Sequence, residues 1–214
     1  MTKLHLGCGQ IYLEGYTNID FPLNEHTVQE KSVADIHADL RFLKYKRNSV
    51  DEVRLHHVFE HFPRHIAISL LAGWQMWLKR GGTLRIGVPD FVENAKLVLD
   101  SSTTGHEKNV ALRHIFGSNE APWATQYEGW TEHNFRQILA LFGFKNITID
   151  YESYLSTRNI TVTAKKGLVD LSLKKAHSNA KKYMKNFTVN DSEFELNLLD
   201  IWLSEFETQL MKLI

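Results

Sequence analysis

The chain has 214 residues, 43% of them apolar and 23% charged, which suits a soluble globular protein with a sizeable core. Lys+Arg and Asp+Glu both total 25, so the formal net charge is zero and no domain-wide basic field exists to hold nucleic acid as a principal partner. Neither a signal peptide nor a transmembrane helix is expected, and the single cysteine, Cys8, excludes an intrachain disulfide and fits a reducing, cytoplasmic setting.

Residues 3–7 (Lys-Leu-His-Leu-Gly) alternate and then stop at a glycine, the pattern of a short strand entering a turn. Residues 16–20 (Tyr-Thr-Asn-Ile-Asp) read as a second strand, only about nine residues later, so any crossover helix between them is very short. Residues 33–38 read as a third strand ending at Asp39-Leu40, and 51–57 as a fourth. Pro63 suits the first turn of a helix whose apolar face is Ile66, Leu70, Leu71, Trp74, Trp77 and Leu78, with Gly81-Gly82 expected to stop it. Residues 83–88 form a fifth strand, closed by Pro89-Asp90.

Residues 91–117 are expected to be helical in two pieces split near Gly105. Residues 118–130 form a loop rich in Trp, Tyr, Pro and Gly, and Thr131 is a good N-cap for a helix over 132–142. Residues 145–151 and 158–165 read as a closing pair of strands, antiparallel because the loop between them is too short for a parallel crossover. Alternating strands and helices predict a Rossmann-like α/β fold: a mostly parallel seven-stranded sheet with one antiparallel strand and helices on both faces.

The tail differs from what precedes it. Residues 165–185 hold seven lysines and one aspartate, a pattern that more often marks a solvated helix face than a ligand site. Leu196, Leu199, Leu203, Phe206, Leu210 and Leu213 fall at alternating spacings of three and four. The expected organisation is a domain over 1–166 and a C-terminal helical extension over 167–214, whose leucine seam packs on the domain or joins a second copy as a homodimer.

A glycine turn after a first strand serves three common ligand classes. A phosphate-cradling loop needs Lys and Ser or Thr after its second glycine, but Gly9 is followed by Gln10-Ile11-Tyr12. A dinucleotide turn wants a glycine where Tyr12 stands, which speaks against a nicotinamide-dependent reductase. The third class, S-adenosylmethionine, carries no phosphate. It needs closely approaching backbone (Gly7, Cys8, Gly9), a carboxylate for the ribose diol (Asp20) and a polar group near the adenine (Asp39, with the Leu40 N–H).

Leu4-His5-Leu6-Gly7-Cys8-Gly9, Asn18-Ile19-Asp20, Ala38-Asp39-Leu40, Ser49-Val50-Asp51-Glu52-Val53, Phe59-Glu60-His61-Phe62 and Leu78-Lys79-Arg80-Gly81-Gly82-Thr83-Leu84 follow one another in order. Over about residues 3–165 this set resembles the class I S-adenosylmethionine-dependent methyltransferases, in particular the small single-domain branch linked to sugar and surface-glycan modification. The resemblance implies S-adenosylmethionine as cofactor, a glycan or small-molecule acceptor, and a place in polysaccharide biosynthesis. Two departures stand out: many such proteins carry an acidic residue where this chain has His5, and the first crossover is short.

The fourth strand runs into His56-His57-Val58-Phe59-Glu60-His61. Methyl transfer needs alignment of acceptor, methyl and sulfur, and a hydroxyl acceptor must also lose a proton, a task suited to His57 or His61. Asp90, on the same rim, is a further candidate base, and His5 and His56 are candidates for the cofactor side. Trp123, Tyr127, Trp130 and His133 are candidate acceptor contacts, from a loop placed to act as a lid. The bland readings are helix capping for Glu60, His61 and Asp90 and packing for the aromatics. No metal-ligand spacing is recognisable, so no metal is expected. A catalytically inactive cofactor-binding scaffold is the alternative from a different class, motivated by His5 and the leucine-spaced tail.

Overall fold

The computed structural model describes residues 1–22, 31–154 and 157–214. Seven strands, β1 (Lys3–Leu6), β2 (Thr17–Asp20), β3 (Ile36–His37), β4 (Val50–His56), β5 (Leu78–Pro89), β6 (Phe144–Tyr154) and β7 (Thr157–Lys166), form one sheet in the order β3-β2-β1-β4-β5-β7-β6. Only β7 runs against its neighbours, pairing antiparallel with both β5 and β6. This is the mostly parallel sheet with one antiparallel strand that the sequence predicts. The chain from 7 to 16 makes turns without a helix, as the short spacing requires.

Among the described residues six α-helices accompany the sheet: α1 (Arg64–Trp77), α2 (Phe91–Leu99), α3 (Gly105–Phe116), α4 (Glu132–Leu141), α5 (Leu173–Met184) and α6 (Glu193–Leu213). Helices α1, α4, α5 and α6 pack on one another. Their apolar sides and one face of the sheet (Leu4, Leu6, Ile19, Val53, Leu55, Leu84, Ile86, Val88, Ile160, Val162 and Ala164) make a single buried core. Cross-strand partners share a face, so the register puts His5, Asn18, Arg54, Arg85, Thr161 and Thr163 together on the other face, which is polar. Helices α2 and α3 pack on each other after the end of β5. Their division falls where the sequence places it, with a Thr104–Glu107 capping box starting α3 at Gly105.

Two boundaries differ from expectation. Helix α1 ends at Trp77, not at Gly81-Gly82, and the strand begins at Leu78. Gly81 adopts φ +76, and the register slips so that Val50 pairs with Leu78 while Glu52 pairs with Thr83. The two glycines serve a bulge inside β5 rather than a helix stop. The third strand shortens to Ile36–His37, because the Asp35 carboxylate accepts from the Asn18 N–H at 2.7 Å where a ladder partner is expected.

The tail packs on its own chain. Leu199, Leu203, Phe206, Leu210 and Leu213 of α6 join the same core as α1, and the Trp77 indole N–H donates to the Leu213 carbonyl at 2.9 Å. Gly73 in the middle of α1 makes this approach fit: a Cβ there would lie 2.8 Å from Leu213 Cδ1. Five of the six seam residues are therefore buried within the chain, and Leu196 stays exposed. Among the described residues no helix is long and apolar enough to cross a membrane.

Candidate active site

The turn after β1 is built by two left-handed glycines, Gly7 at φ +65 and Gly9 at φ +54. The N–H groups of Gly7 and Cys8 both donate to the Ile19 carbonyl, at 2.8 and 3.1 Å, and so tie this turn to β2. The two glycines are needed for different reasons. A Cβ on Gly7 would lie 2.2 Å from Val58 Cγ2, whereas one on Gly9 would meet nothing within 4 Å. Gly9 therefore borders open space, and its N–H donates to Asp20 Oδ2 at 3.1 Å while the Phe21 N–H donates to Oδ1 at 2.9 Å. These bonds orient a carboxylate that is nearly buried at the tip of β2.

Asp20 opens onto a cleft of about 630 Å³ at the carboxyl ends of the strands. The strand tips contribute Gly7, Gly9, Asp20 and Phe21; the β3–β4 connection contributes Ala38, Asp39, Leu40 and Arg41. The β4–α1 connection contributes His57, Val58, His61, Phe62 and Pro63 with Ile66, and the loop before α4 adds Pro122, Trp123 and Tyr127. Open parallel sheets bind their ligands at this end.

Asp39 caps the short turn Leu40–Phe42 and is gripped by Arg41, whose Nε and Nη2 lie 2.9 and 2.6 Å from Oδ2. His57 sits in the left-handed region at φ +55, a conformation that costs a non-glycine residue about 1–2 kcal/mol. Its N–H donates to the Gly87 carbonyl at 2.8 Å, and its Nδ1 lies 3.4 Å from Glu60 Oε1. The Glu60 carboxylate is 2% exposed, and neither of its oxygens has a hydrogen-bond partner among the described residues. His61 Nδ1 donates to the Thr125 carbonyl at 3.0 Å, the tautomer that leaves Nε2 as an acceptor.

Glu60, His61 and Arg64 tie loop 118–130 to the β4–α1 segment. The Tyr127 N–H donates to the Glu60 carbonyl at 2.8 Å, Thr125 accepts from His61, and Glu128 pairs with Arg64 at 2.7 Å. Burial raises the Glu128 carboxyl above its ordinary value, and Arg64 opposes that rise.

Several sequence candidates do not line the cleft. His5 is buried on the polar side of the sheet and donates through Nδ1 to Asn18 Oδ1 at 3.0 Å; burial lowers its pKa below the ordinary histidine value. Cys8 supplies backbone only, its thiol pushed up to about 11 by burial. His56 lies against His57 with ring centres 4.4 Å apart; desolvation, then the charge of His57, pushes it down to about 4. Asp90 is the N-cap of α2, accepting from the Val92 and Glu93 N–H groups, and borders a separate hollow of about 310 Å³. Trp130 is core, stacked on Phe59 and Phe135 at 4.7 and 5.1 Å, and His133 is an exposed residue of α4. Conversely, Phe21, Ala38, Arg41, Val58, Phe62, Pro63, Ile66 and Pro122 line the cleft though none is a site candidate from sequence. Apolar and loop residues of this kind carry no chemical signature in sequence.

No protein-family model matches the sequence, and no curated protein matches it. Solved structures do match in shape. A SAM-dependent methyltransferase from Archaeoglobus fulgidus superposes with a TM-score of 0.53 at 15% identity, over 77% of this chain and 86% of that one. A SAM-dependent methyltransferase from Methanosarcina mazei superposes with a TM-score of 0.50 at 15% identity, over 78% of this chain and 93% of that one. The chain has the methyltransferase fold. In this fold the 630 Å³ cleft lies between the glycine turn and the β4–α1 histidines, with the Asp20 carboxylate at one end and the His57 and His61 side chains at the other.

Proposed function

We propose that the protein transfers a methyl group from S-adenosylmethionine to a hydroxyl or amine of a small-molecule or glycan acceptor, a sugar being favoured, in the cytoplasm. The observation that carries this reading is Asp20. A nearly buried carboxylate is held by the Gly9 and Phe21 N–H groups beside a left-handed glycine with open space in front of it. A carboxylate so oriented at the edge of the cleft has the chemistry to hold a vicinal diol. The cleft also fits a phosphate-free nucleoside. Arg41 is the one Lys or Arg lining it among the described residues, and Arg41 is committed to Asp39.

The bound cofactor supplies an electrophilic methyl group on a sulfonium. The chain does the rest. Asp20 would grip the ribose hydroxyls, and the segment Ala38–Arg41 would bound the adenine end. Phe62, Pro63, Ile66 and Trp123 would give the acceptor end a largely apolar wall, and among the described residues no Lys or Arg lines that end to hold a phosphate. His61, with Nδ1 fixed on Thr125, presents Nε2 to take the proton of an acceptor hydroxyl; the Glu60 carboxylate stands 3.4 Å from His57 Nδ1.

Calorimetry with S-adenosylhomocysteine tests the reading. Binding is expected for the native chain, and Asp20→Ala is expected to weaken it by about 1–3 kcal/mol through loss of a charge-assisted hydrogen bond. No binding at millimolar ligand sinks the proposal, and unchanged affinity in the variant removes Asp20 from the site. A methyl-tritiated cofactor offered with uncharged sugars then separates an enzyme from a scaffold, which binds but transfers nothing.

A further inference from the structure

The cleft wall made by Leu40 and Arg41 lies in the connection between β3 and β4. It follows the two-residue edge strand β3, and its local fastening is the Asp39–Arg41 pair. What stands behind it is α6, more than 160 residues later in the chain. The Gln209 side chain, 2% exposed, donates from Nε2 to the Arg41 carbonyl at 2.6 Å. Lys212 of the same helix lies over the Phe42 ring at 5.2 Å, and Lys44 donates to the Ile214 carbonyl at 3.3 Å.

The Gln209 amide has a second consequence. A glutamine in a leucine-lined helix face is expensive to bury unless its amide is used. An apolar residue there would serve packing alone; glutamine serves packing and also fixes one backbone carbonyl on the cleft wall. The opposite wall is tied to the tail as well: the Arg64 guanidinium, which pairs with Glu128 of the cleft loop, lies 3.5 Å over the Phe187 ring and 5.7 Å from Trp202.

We propose that Gln209 is a positioning residue of the cofactor cleft, and that the C-terminal helices are thereby a built-in wall support of the site rather than an appendage. This rests on the reading of the cleft as an S-adenosylmethionine site. Gln209 acts through the Arg41 carbonyl: it fixes where the Leu40–Arg41 backbone presents itself to the adenine end, while the core leucines of α6 supply the stability.

Two full-length variants test it. Gln209→Leu keeps the volume and removes the donor; Leu203→Ala loosens α6 at a buried position not bonded to Arg41. Gln209→Leu is expected to weaken S-adenosylhomocysteine binding three- to tenfold and to speed amide hydrogen exchange at residues 40–42 in the ligand-free protein. Leu203→Ala is expected to lower the melting temperature and leave both readings as in the native chain. Native affinity and native exchange at 40–42 in Gln209→Leu overturn the proposal, and so do equal changes in both variants. If the native chain itself takes no S-adenosylhomocysteine, the function reading has failed, and exchange at 40–42 alone judges Gln209.

Discussion

The two glycines of the β1 turn look alike in sequence and are expected to fail differently when a methyl group is added. Gly7→Ala places a Cβ 2.2 Å from Val58 Cγ2 on a backbone at φ +65. The left-handed conformation costs about 1–2 kcal/mol for alanine, and overpacking against Val58 adds about 1–3 kcal/mol. The stiffer unfolded chain returns about 0.4–1 kcal/mol, so a net loss of about 2–4 kcal/mol is expected. Gly9→Ala carries the conformational cost alone and is expected to lose about 1 kcal/mol or less. Its methyl group, however, projects into the open cleft, so it is expected to weaken S-adenosylhomocysteine binding while leaving the fold nearly intact. Urea unfolding of both variants, with Gly7→Ala repeated in a Val58→Ala background, separates strain from contact. The shortened side chain is expected to recover about 1–3 kcal/mol of the Gly7→Ala loss, the contact part. Equal losses for the two glycines, or no recovery with Val58→Ala, would falsify the assignment of Gly7 to close packing.

Ending the chain at Lys166 removes α5 and α6 and bares the α1 face they cover; the five buried apolar residues of α6 alone represent roughly 7–15 kcal/mol of gross burial. The shortened chain is expected to aggregate, and a monomer with a cooperative melt by light scattering and calorimetry would refute this. His56, pushed down to about 4 when folded, has an ordinary value near 6.5, so below the latter the unfolded chain takes up the proton first. Its contribution is therefore complete above about pH 6.5 and lost as pH falls toward 4. His56→Gln is expected to flatten the pH dependence of the urea midpoint in that window, and an unchanged slope contradicts the assignment. His61 is expected to show the Nδ1–H tautomer by nitrogen NMR, and His61→Gln to cut methyl transfer by about 10²–10⁴-fold once an acceptor is found. An Nε2–H tautomer removes His61 as the base.

Much of the fold was legible because periodicity and punctuation are local. Alternation and glycine marked the strands, Thr131 and the split near Gly105 fell where α4 and α3 begin, and the short loop after β6 required antiparallel pairing. Gly81-Gly82 misled because a glycine pair stops a helix or makes a bulge with equal ease, and only pairing with β4 chooses between them. In the site, Gly7, Gly9, Asp20, Asp39, Leu40, His57 and His61 were found at strand ends in sequence and line one cleft. Asp90 was chosen on the same reasoning, and Trp130 as an aromatic of the 118–130 loop, but the carboxylate caps a helix and the indole stacks in the core. Strand-end position does not say which way a side chain turns.

The sequence by itself determined which segments are strands and helices, the strand-end glycines and carboxylates, and the amphipathic face of the tail, since each depends on neighbours within a few residues. Tertiary structure alone decided that this face is consumed on α1, that Gln209 reaches Arg41, and that Phe187 and Trp202 bracket Arg64. These pairings join residues more than a hundred positions apart. Many apolar partners satisfy a leucine stripe equally well, and only the shape left by the completed sheet and α1, down to the missing Cβ of Gly73, selects one.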